Sequence, residues 1–433
     1  MSLSSKRIVY LTAGAGGMYC GSCLNDNTLA RALTKLGVDI QLVPTYTPIT
    51  TDEHDVSLNE VYFGGINVYL QQKFPPLRWL PAPFDRILNN PALIRWVTKK
   101  DVQADPSLLG AMTVSMLKAS DGFQKKEVRR LLEFLNREKP DVINFTNVLI
   151  AGCIPEIKKQ LPNVKAVVTL QGDDIFLDYI PEKYSQQSIE HIRRLAESID
   201  GFLVHSQYYA DYMGERLGIP SNKIHRVRLG IDYEGFQQKS ASSGERKRVG
   251  YLARLTPEKG FHILVDAFIR LREKRDDVDL AIAGWVGSEH KAYSDEQFAK
   301  LDASGLGDSY VYSGVINREE KIDFLQGLDV FTVPTTYREP KGRFALEAMA
   351  SGLPVVFPDH GAFPEIVSES ACGKLVRPND PEHLAEALNE LLCDPAQCKA
   401  MGESGRQSIL DDRNAEAMAK QTLELYERLC VDS

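Results

Sequence analysis

The stretch Thr335–Gly352 reads T-T-Y-R-E-P-K-G-R-F-A-L-E-A-M-A-S-G. It follows the apolar run Asp329–Pro334, whose composition is that of a buried strand. From about Gly342 it turns helical, with Phe344, Leu346, Ala348 and Met349 among good helix formers. One carboxylate, Glu339, therefore falls in a strand-to-helix loop, and a second, Glu347, lies about a turn inside the helix. Gly342 between them lets backbone N–H groups approach a ligand at a helix N-terminus, where the dipole favours phosphate. Amides for phosphate and carboxylates for hydroxyl groups make a site for a polyhydroxylated, phosphorylated molecule. Taken as an isolated pair, the two glutamates also fit a solvated loop with Glu347 as an ordinary surface charge.

The same strand–loop–helix unit recurs along the chain. Expected strands in the first half are Ile8–Thr12, Val38–Pro44, Asp141–Phe145, Ala166–Leu170, Phe202–His205 and Ile224–Leu229. In the second half they are Val249–Ala253, Asp279–Ala283, Tyr310–Val315, Val330–Pro334, Val355–Pro358 and Leu375–Pro378. Apolar strands alternating with amphipathic helices form parallel α/β sheets covered on both faces. The small polar run 237–245, Q-Q-K-S-A-S-S-G-E, breaks the rhythm and reads as a linker. Two Rossmann-like domains facing a cleft are expected: 1–240, with 412–433 packing back on it, and 246–411. In such folds ligands sit beyond the carboxyl ends of the strands.

A length of 433 residues accommodates two sizeable cores, and a net charge of −8 argues against a general nucleic-acid binder. No run of about 18 uncharged apolar residues suggests a membrane span. The polar start Met1–Arg7, followed directly by I-V-Y-L-T, lacks the pattern of a signal peptide. Seven scattered cysteines fit reduced thiols in a cytoplasmic protein.

Further motifs follow the expected strands. T-A-G-A-G-G-M-Y-C-G-S (Thr12–Ser22) opens a helix running to Leu36. With Tyr19 in place of a third glycine, and V-P-T-Y rather than an acid ending the second strand, it does not read as a nicotinamide site. Cys20 and Cys23 within it form a C-x-x-C at a helix start. That spacing fits either a redox dithiol or small helix-start residues. Y-L-A-R-L-T-P-E-K-G (Tyr251–Gly260) places Arg254 and Lys259 across a strand-to-helix turn, where two cations can neutralise a diphosphate. The alternative for Arg254 is a surface ion pair with Glu258. V-T-L-Q-G-D-D-I-F (Val168–Phe176) offers Gln171, Asp173 and Asp174; the acids suit either hydroxyl groups or a helix N-cap. His205, at the end of an apolar strand, reads as a packed residue. Residues 71–100 carry six basic side chains against one acid, interleaved with Phe74, Trp79, Phe84 and Trp96. This composition fits either a peripheral contact with anionic lipid on the inner membrane face or helices with solvated basic faces.

The glutamate pair, the following A-M-A-S-G-L-P-V-V and the later G-A-F-P-E-I-V (Gly361–Val367) together closely resemble the retaining glycosyltransferases of family 4, which have the GT-B fold. The resemblance runs almost continuously from Arg248 to the C-terminus and more loosely over Lys6–Asp232. It implies a C-terminal helix crossing back to the first domain and transfer of a hexose from a nucleotide-diphosphate sugar to a hydroxyl-bearing acceptor, with no cofactor and no metal. Arg254 and Lys259 would hold the diphosphate, Glu347 the ribose, and Glu339 with the backbone of Lys341, Gly342, Arg343 and Phe344 the donor sugar. Gly16 and Gly17 would lie against the diphosphate and sugar, and Gly314 and Val315 against the base. Two departures stand out: Gln171 where relatives commonly have a sugar-contacting His, and Lys341 where they often have Phe. A nucleotide-sugar epimerase of the same fold and a non-catalytic sugar-nucleotide sensor remain the competing readings.

Overall fold

The computed structural model describes residues 6–14, 20–62, 65–73, 105–237 and 246–431. They form two compact units, one of Met1–Arg228 with Met418–Ser433 and one of Leu229–Ala417.

The first unit is built on six parallel strands: β1 (Arg7–Thr12), β2 (Asp39–Pro44), β3 (Val142–Phe145), β4 (Lys165–Thr169), β5 (Gly201–Val204) and β6 (Ile224–Arg226). Their order is β2-β1-β3-β4-β5-β6. The second repeats the plan with β7 (Lys247–Leu252), β8 (Val278–Ala283), β9 (Tyr310–Tyr312), β10 (Val330–Thr332), β11 (Val355–Pro358) and β12 (Gly373–Val376), in the order β12-β11-β10-β7-β8-β9. Consecutive residues Ile8, Val9, Tyr10 and Leu11 are all fully buried, as helices on both faces of a parallel sheet require. Each sheet reverses its direction of growth beside its first strand, between β1 and β3 and between β7 and β10. An open α/β sheet parts its loops at such a switch point and leaves a crevice there.

Seven strands stop earlier than expected, β4, β5 and β7 by one residue and β6, β9, β10 and β12 by two or three. β9 ends before Gly314, which turns the chain at φ 69°, and β10 ends ahead of Pro334, which has no N–H for the ladder. β6 ends at Arg226, although Val227 still donates its N–H to Val204 O at 2.9 Å.

Residues 238–245, most of the expected linker, lie outside the described residues. The preceding segment is bonded within the second unit. Ala415 N–H donates to Ile231 O at 2.9 Å, Arg318 donates to the carbonyls of Asp232 (3.0 Å) and Glu234 (2.9 Å), and Arg406 donates to Phe236 O at 3.1 Å. The Ala415–Val431 helix leaves the second unit and from Met418 packs with the first. There Tyr426, fully buried, donates its hydroxyl to Asn144 Oδ1 on β3 at 3.1 Å.

Candidate active site

The loops after β7 and β10 meet at the switch point of the second sheet. Gly260, at φ 70°, lets the Phe261–Lys274 helix start against the end of β10, for a Cβ there would lie 1.7 Å from Pro334 O. That approach carries Lys259 to Glu339, with Nζ 2.9 Å from Oε2. Tyr337 donates its hydroxyl to the same oxygen and itself accepts from Lys259. Gly342 N–H donates to Glu339 Oε1 at 3.2 Å. From behind, Ala362 N–H donates to Glu339 O at 2.8 Å, and Gly361, at φ 63°, packs so closely that a Cβ would meet Glu339 O at 2.6 Å. The motif G-A-F-P-E thus supports the loop that carries the first glutamate. Burial alone would raise the Glu339 carboxyl; the Lys259 ammonium, the Tyr337 hydroxyl and the Gly342 amide outweigh it and hold it at about 2. Glu339 is therefore a fixed anion near neutral pH rather than a proton carrier.

Glu347 lies in the Arg343–Ala350 helix, capped at its start by Gly342 in the left-handed region. Its Oε1 receives Lys321 Nζ at 2.9 Å, from the Arg318–Gln326 helix, and lies 3.4 Å from Arg343 Nε. Lys321, Lys341, Arg343 and both glutamates are all buried. Lys321 was not anticipated: it lies 26 residues from its partner, and nothing local distinguishes it from a surface lysine. Lys259 also sits over the rings of Tyr337 (4.8 Å) and Phe344 (5.1 Å).

The expected site residues are not all drawn into this cluster. Arg254 is half-exposed and pairs with Glu258 at 4.0 Å. At the exits of β8 and β9, Gly284 N–H donates to Gly314 O at 2.8 Å and Tyr312 donates its hydroxyl to Gly284 O at 2.8 Å, while the Val315 side chain stands exposed. A cavity of about 300 Å³ opens elsewhere in this unit, among Arg248, Asp279, Tyr310 and Asp323. It borders the beginnings of β7, β8 and β9, away from the strand ends where α/β folds bind ligands.

In the first unit the switch point is occupied by a buried carboxylate the sequence did not mark. Asp26, on the Gly21–Lys35 helix, accepts from Thr12 Oγ1 (2.7 Å), Thr146 Oγ1 (2.6 Å), Tyr10 OH (2.9 Å) and Gln171 Nε2 (3.0 Å). Burial raises its carboxyl above the ordinary value despite these donors. Gln171 Nε2 also donates to the backbone carbonyl of Thr146 at 3.2 Å, which can only accept, and this sets the orientation of Gln171, whose Oε1 then accepts from Asn25 Nδ2 at 3.3 Å. The same Asn25 nitrogen lies 3.0 Å from His205 Nε2, which must therefore accept, so Nδ1 carries the proton toward Val227 O at 3.0 Å. His205 is packed, as expected. Gln171 is bonded inside this network in the present structure. The available signal was the run Asn25–Thr28, four polar residues on one helix, all essentially inaccessible. Asp173 accepts from the N–H groups of Val148 (2.8 Å) and Gln171 (3.0 Å), with its carboxyl raised by burial to about 6; Asp174 accepts from Tyr209 OH at 2.6 Å. The Asp173–Tyr179 helix is capped by Gly172, so neither acid is its N-cap. Gly16, Gly17 and most of 71–100 lie outside the described residues.

Two family models match this chain, Glycosyl transferases group 1 over residues 232–408 and Glycosyltransferase Family 4 over 114–234. Both models describe glycosyltransferases, and over residues 114–408 the chain is similar to family 4. The chain is 31% identical over 242 residues to the MMP alpha-(1->4)-mannosyltransferase of Mycolicibacterium hassiacum, an alignment covering 55% of this chain and spanning little more than half, 57%, of that relative. It is 25% identical over 392 residues to the alpha-maltose-1-phosphate synthase of Mycolicibacterium smegmatis, covering 86% and 96%. Among solved structures, sucrose-phosphate synthase from Thermosynechococcus elongatus superposes with a TM-score of 0.72 at 19% identity, over 99% of this chain and 100% of that one. Anabaena HepE in complex with UDP and glucose superposes with a TM-score of 0.68 at 16% identity, over 98% and 100%. These likenesses establish the two-domain GT-B fold. Among the described residues no helix is long and apolar enough to cross a membrane.

Proposed function

We propose that this chain transfers a hexose from a nucleotide-diphosphate sugar to a hydroxyl group of a glycan, lipid or small-molecule acceptor, with retention of anomeric configuration and without a divalent metal. The observation that carries this reading is the clamped anion Glu339 at a switch point, beside Lys259 and a helix start rich in buried cations. A lysine ammonium, a backbone amide and a helix start converging beyond the strand ends suit an anionic ligand.

Lys259, joined by Arg254, neutralises the diphosphate. As the bond between the anomeric carbon and the phosphate oxygen breaks, charge grows on the departing diphosphate, and preorganised cations stabilise it most in the transition state. Glu339 orients donor-sugar hydroxyls, and Glu347 those of the ribose. Retention then follows from attack on the face the phosphate leaves: the acceptor oxygen bonds to the anomeric carbon while its proton passes to the leaving phosphate oxygen. Positioning supplies most of the rate in such a scheme. The names of the relatives agree with this donor class. One is a GDP-mannose-dependent mannosyltransferase, and HepE is solved with UDP and glucose. The epimerase and sensor readings are not favoured by relatives named as transferases.

A panel including UDP-glucose and GDP-mannose, read first by thermal shift, tests the proposal. A ligand at 100 times its Kd stabilises the folded state by about 2.7 kcal/mol. The best donor is then incubated with candidate acceptors, nucleotide diphosphate release is measured, and the anomeric configuration of the product is read by NMR. No shift and no diphosphate release with any donor overturns the transferase reading; an inverted product overturns retention alone.

A further inference from the structure

Cys20 and Cys23 flank the first turn of the Gly21–Lys35 helix, Cys20 as its N-cap residue and Cys23 inside it. Cys20 is partly exposed and Cys23 buried, neither is in a disulfide, and their side chains are in hydrogen-bond contact. Positions three apart on a helical turn hold their Cα atoms about 5 Å apart, inside the window a disulfide spans without backbone movement. The first turn is closed behind them by Leu24 N–H donating to Cys20 O at 2.9 Å.

We propose that Cys20 and Cys23 form a reversible redox pair that exchanges with low-molecular-weight disulfides of the glutathione class. The order of events follows from exposure. Cys20, the sulfur a small disulfide can reach, attacks as thiolate; a mixed disulfide forms and one thiol equivalent leaves. Cys23 then attacks the Cys20 sulfur, the intramolecular disulfide closes, and the second thiol leaves. Overall, one disulfide and two protein thiols become one protein disulfide and two small thiols, so atoms and electrons balance with no other oxidant. Contact with Cys20, and burial after it, hold the Cys23 thiol well up in the reduced protein. Capping Cys20 removes the larger of these effects, which favours the resolving step over a lingering adduct. The product also takes Cys23 away from Thr12, which it touches in the reduced form and which donates to Asp26 at 2.7 Å. Oxidation therefore reaches the buried network of the first unit.

The test uses the full-length chain equilibrated in glutathione buffers, acid-quenched, alkylated and peptide-mapped. An intramolecular disulfide depends on the square of the reduced-glutathione concentration and a mixed disulfide on its first power. Diluting the buffer tenfold at a fixed oxidised-to-reduced ratio should therefore raise the oxidised-to-reduced ratio of the pair about tenfold. Exposed Cys393, in the same chain, should show no such response. Cys23→Ser should leave Cys20 carrying glutathione with no dilution effect, and Cys20→Ser should leave buried Cys23 unmodified. The proposal is overturned if Cys20 and Cys23 stay reduced while Cys393 is glutathionylated, or if wild-type Cys20 carries glutathione without dilution dependence. It is also overturned if Cys23→Ser keeps the wild-type response. None of these readouts depends on the transferase reading.

Discussion

Glu339 and Glu347 look alike in the sequence, yet their surroundings give them different tasks. Glu339 meets a lysine, a tyrosine hydroxyl and a backbone amide, and its carboxyl is held at about 2. A carboxyl depressed in the folded state contributes stability above its unfolded value of 4.5, and that contribution is lost as pH falls through about 2. Glu339→Gln should therefore flatten the fall in thermal midpoint between these limits, and an unchanged acid limb would place the anion's stabilisation elsewhere. If the side chain orients the reacting sugar as proposed, the same variant should lower kcat more than donor affinity. Glu347 is instead part of a buried pair with Lys321. Lys321→Met removes the nearer of the two cations beside buried Glu347 and leaves Arg343 at 3.4 Å, so the loss should be a fraction of the roughly 3–5 kcal/mol of a wholly unpaired charge. The double variant Lys321→Met/Glu347→Gln should recover most of that loss in denaturant unfolding of the second unit; additive losses would exclude a direct coupling. Both glutamates were legible in the sequence because a motif spaced them. Lys321 was not, because its role arises only from a partner 26 residues away.

At the level of elements, apolar runs located the strands, whereas backbone geometry decided where they stop. Gly314 and Pro334 end β9 and β10 for reasons of φ and a missing N–H, and both residues were visible in the sequence. Gly260 matters through something sequence does not show, the carbonyl of Pro334 in the space a Cβ would fill. Gly260→Ala should push the Phe261–Lys274 helix off β10, lower the melting temperature and separate Lys259 from Glu339, with a cost above the roughly 1–3 kcal/mol of a strained φ alone. A variant of wild-type stability and turnover would show that the loop relaxes freely. The Gly21–Lys35 helix gives the opposite lesson. Its polar run Asn25–Thr28 looks solvent-facing by composition and is buried, because Thr12, Thr146 and Gln171 from separate strand ends surround Asp26.

For the molecule as a whole, the proposed scheme draws its positive charge for a diphosphate from side chains, Lys259 foremost. Turnover should accordingly persist in excess chelator, and full loss restored by Mg²⁺ or Mn²⁺ would sink the metal-free scheme. The amino-acid sequence by itself determined two parallel α/β sheets and the strand-to-helix loop that holds the glutamate pair, because apolar periodicity and glycine placement are local properties that neighbours in the chain express directly. Only the tertiary structure decided that Lys259 rather than Arg254 grips Glu339, that Lys321 neutralises Glu347, and that Asp26 holds Gln171 in a buried network. These contacts join residues that are far apart in the chain. Which cation meets which carboxylate depends on how closely two elements pack, and that is set by sheet order and by the few ångströms a glycine leaves open.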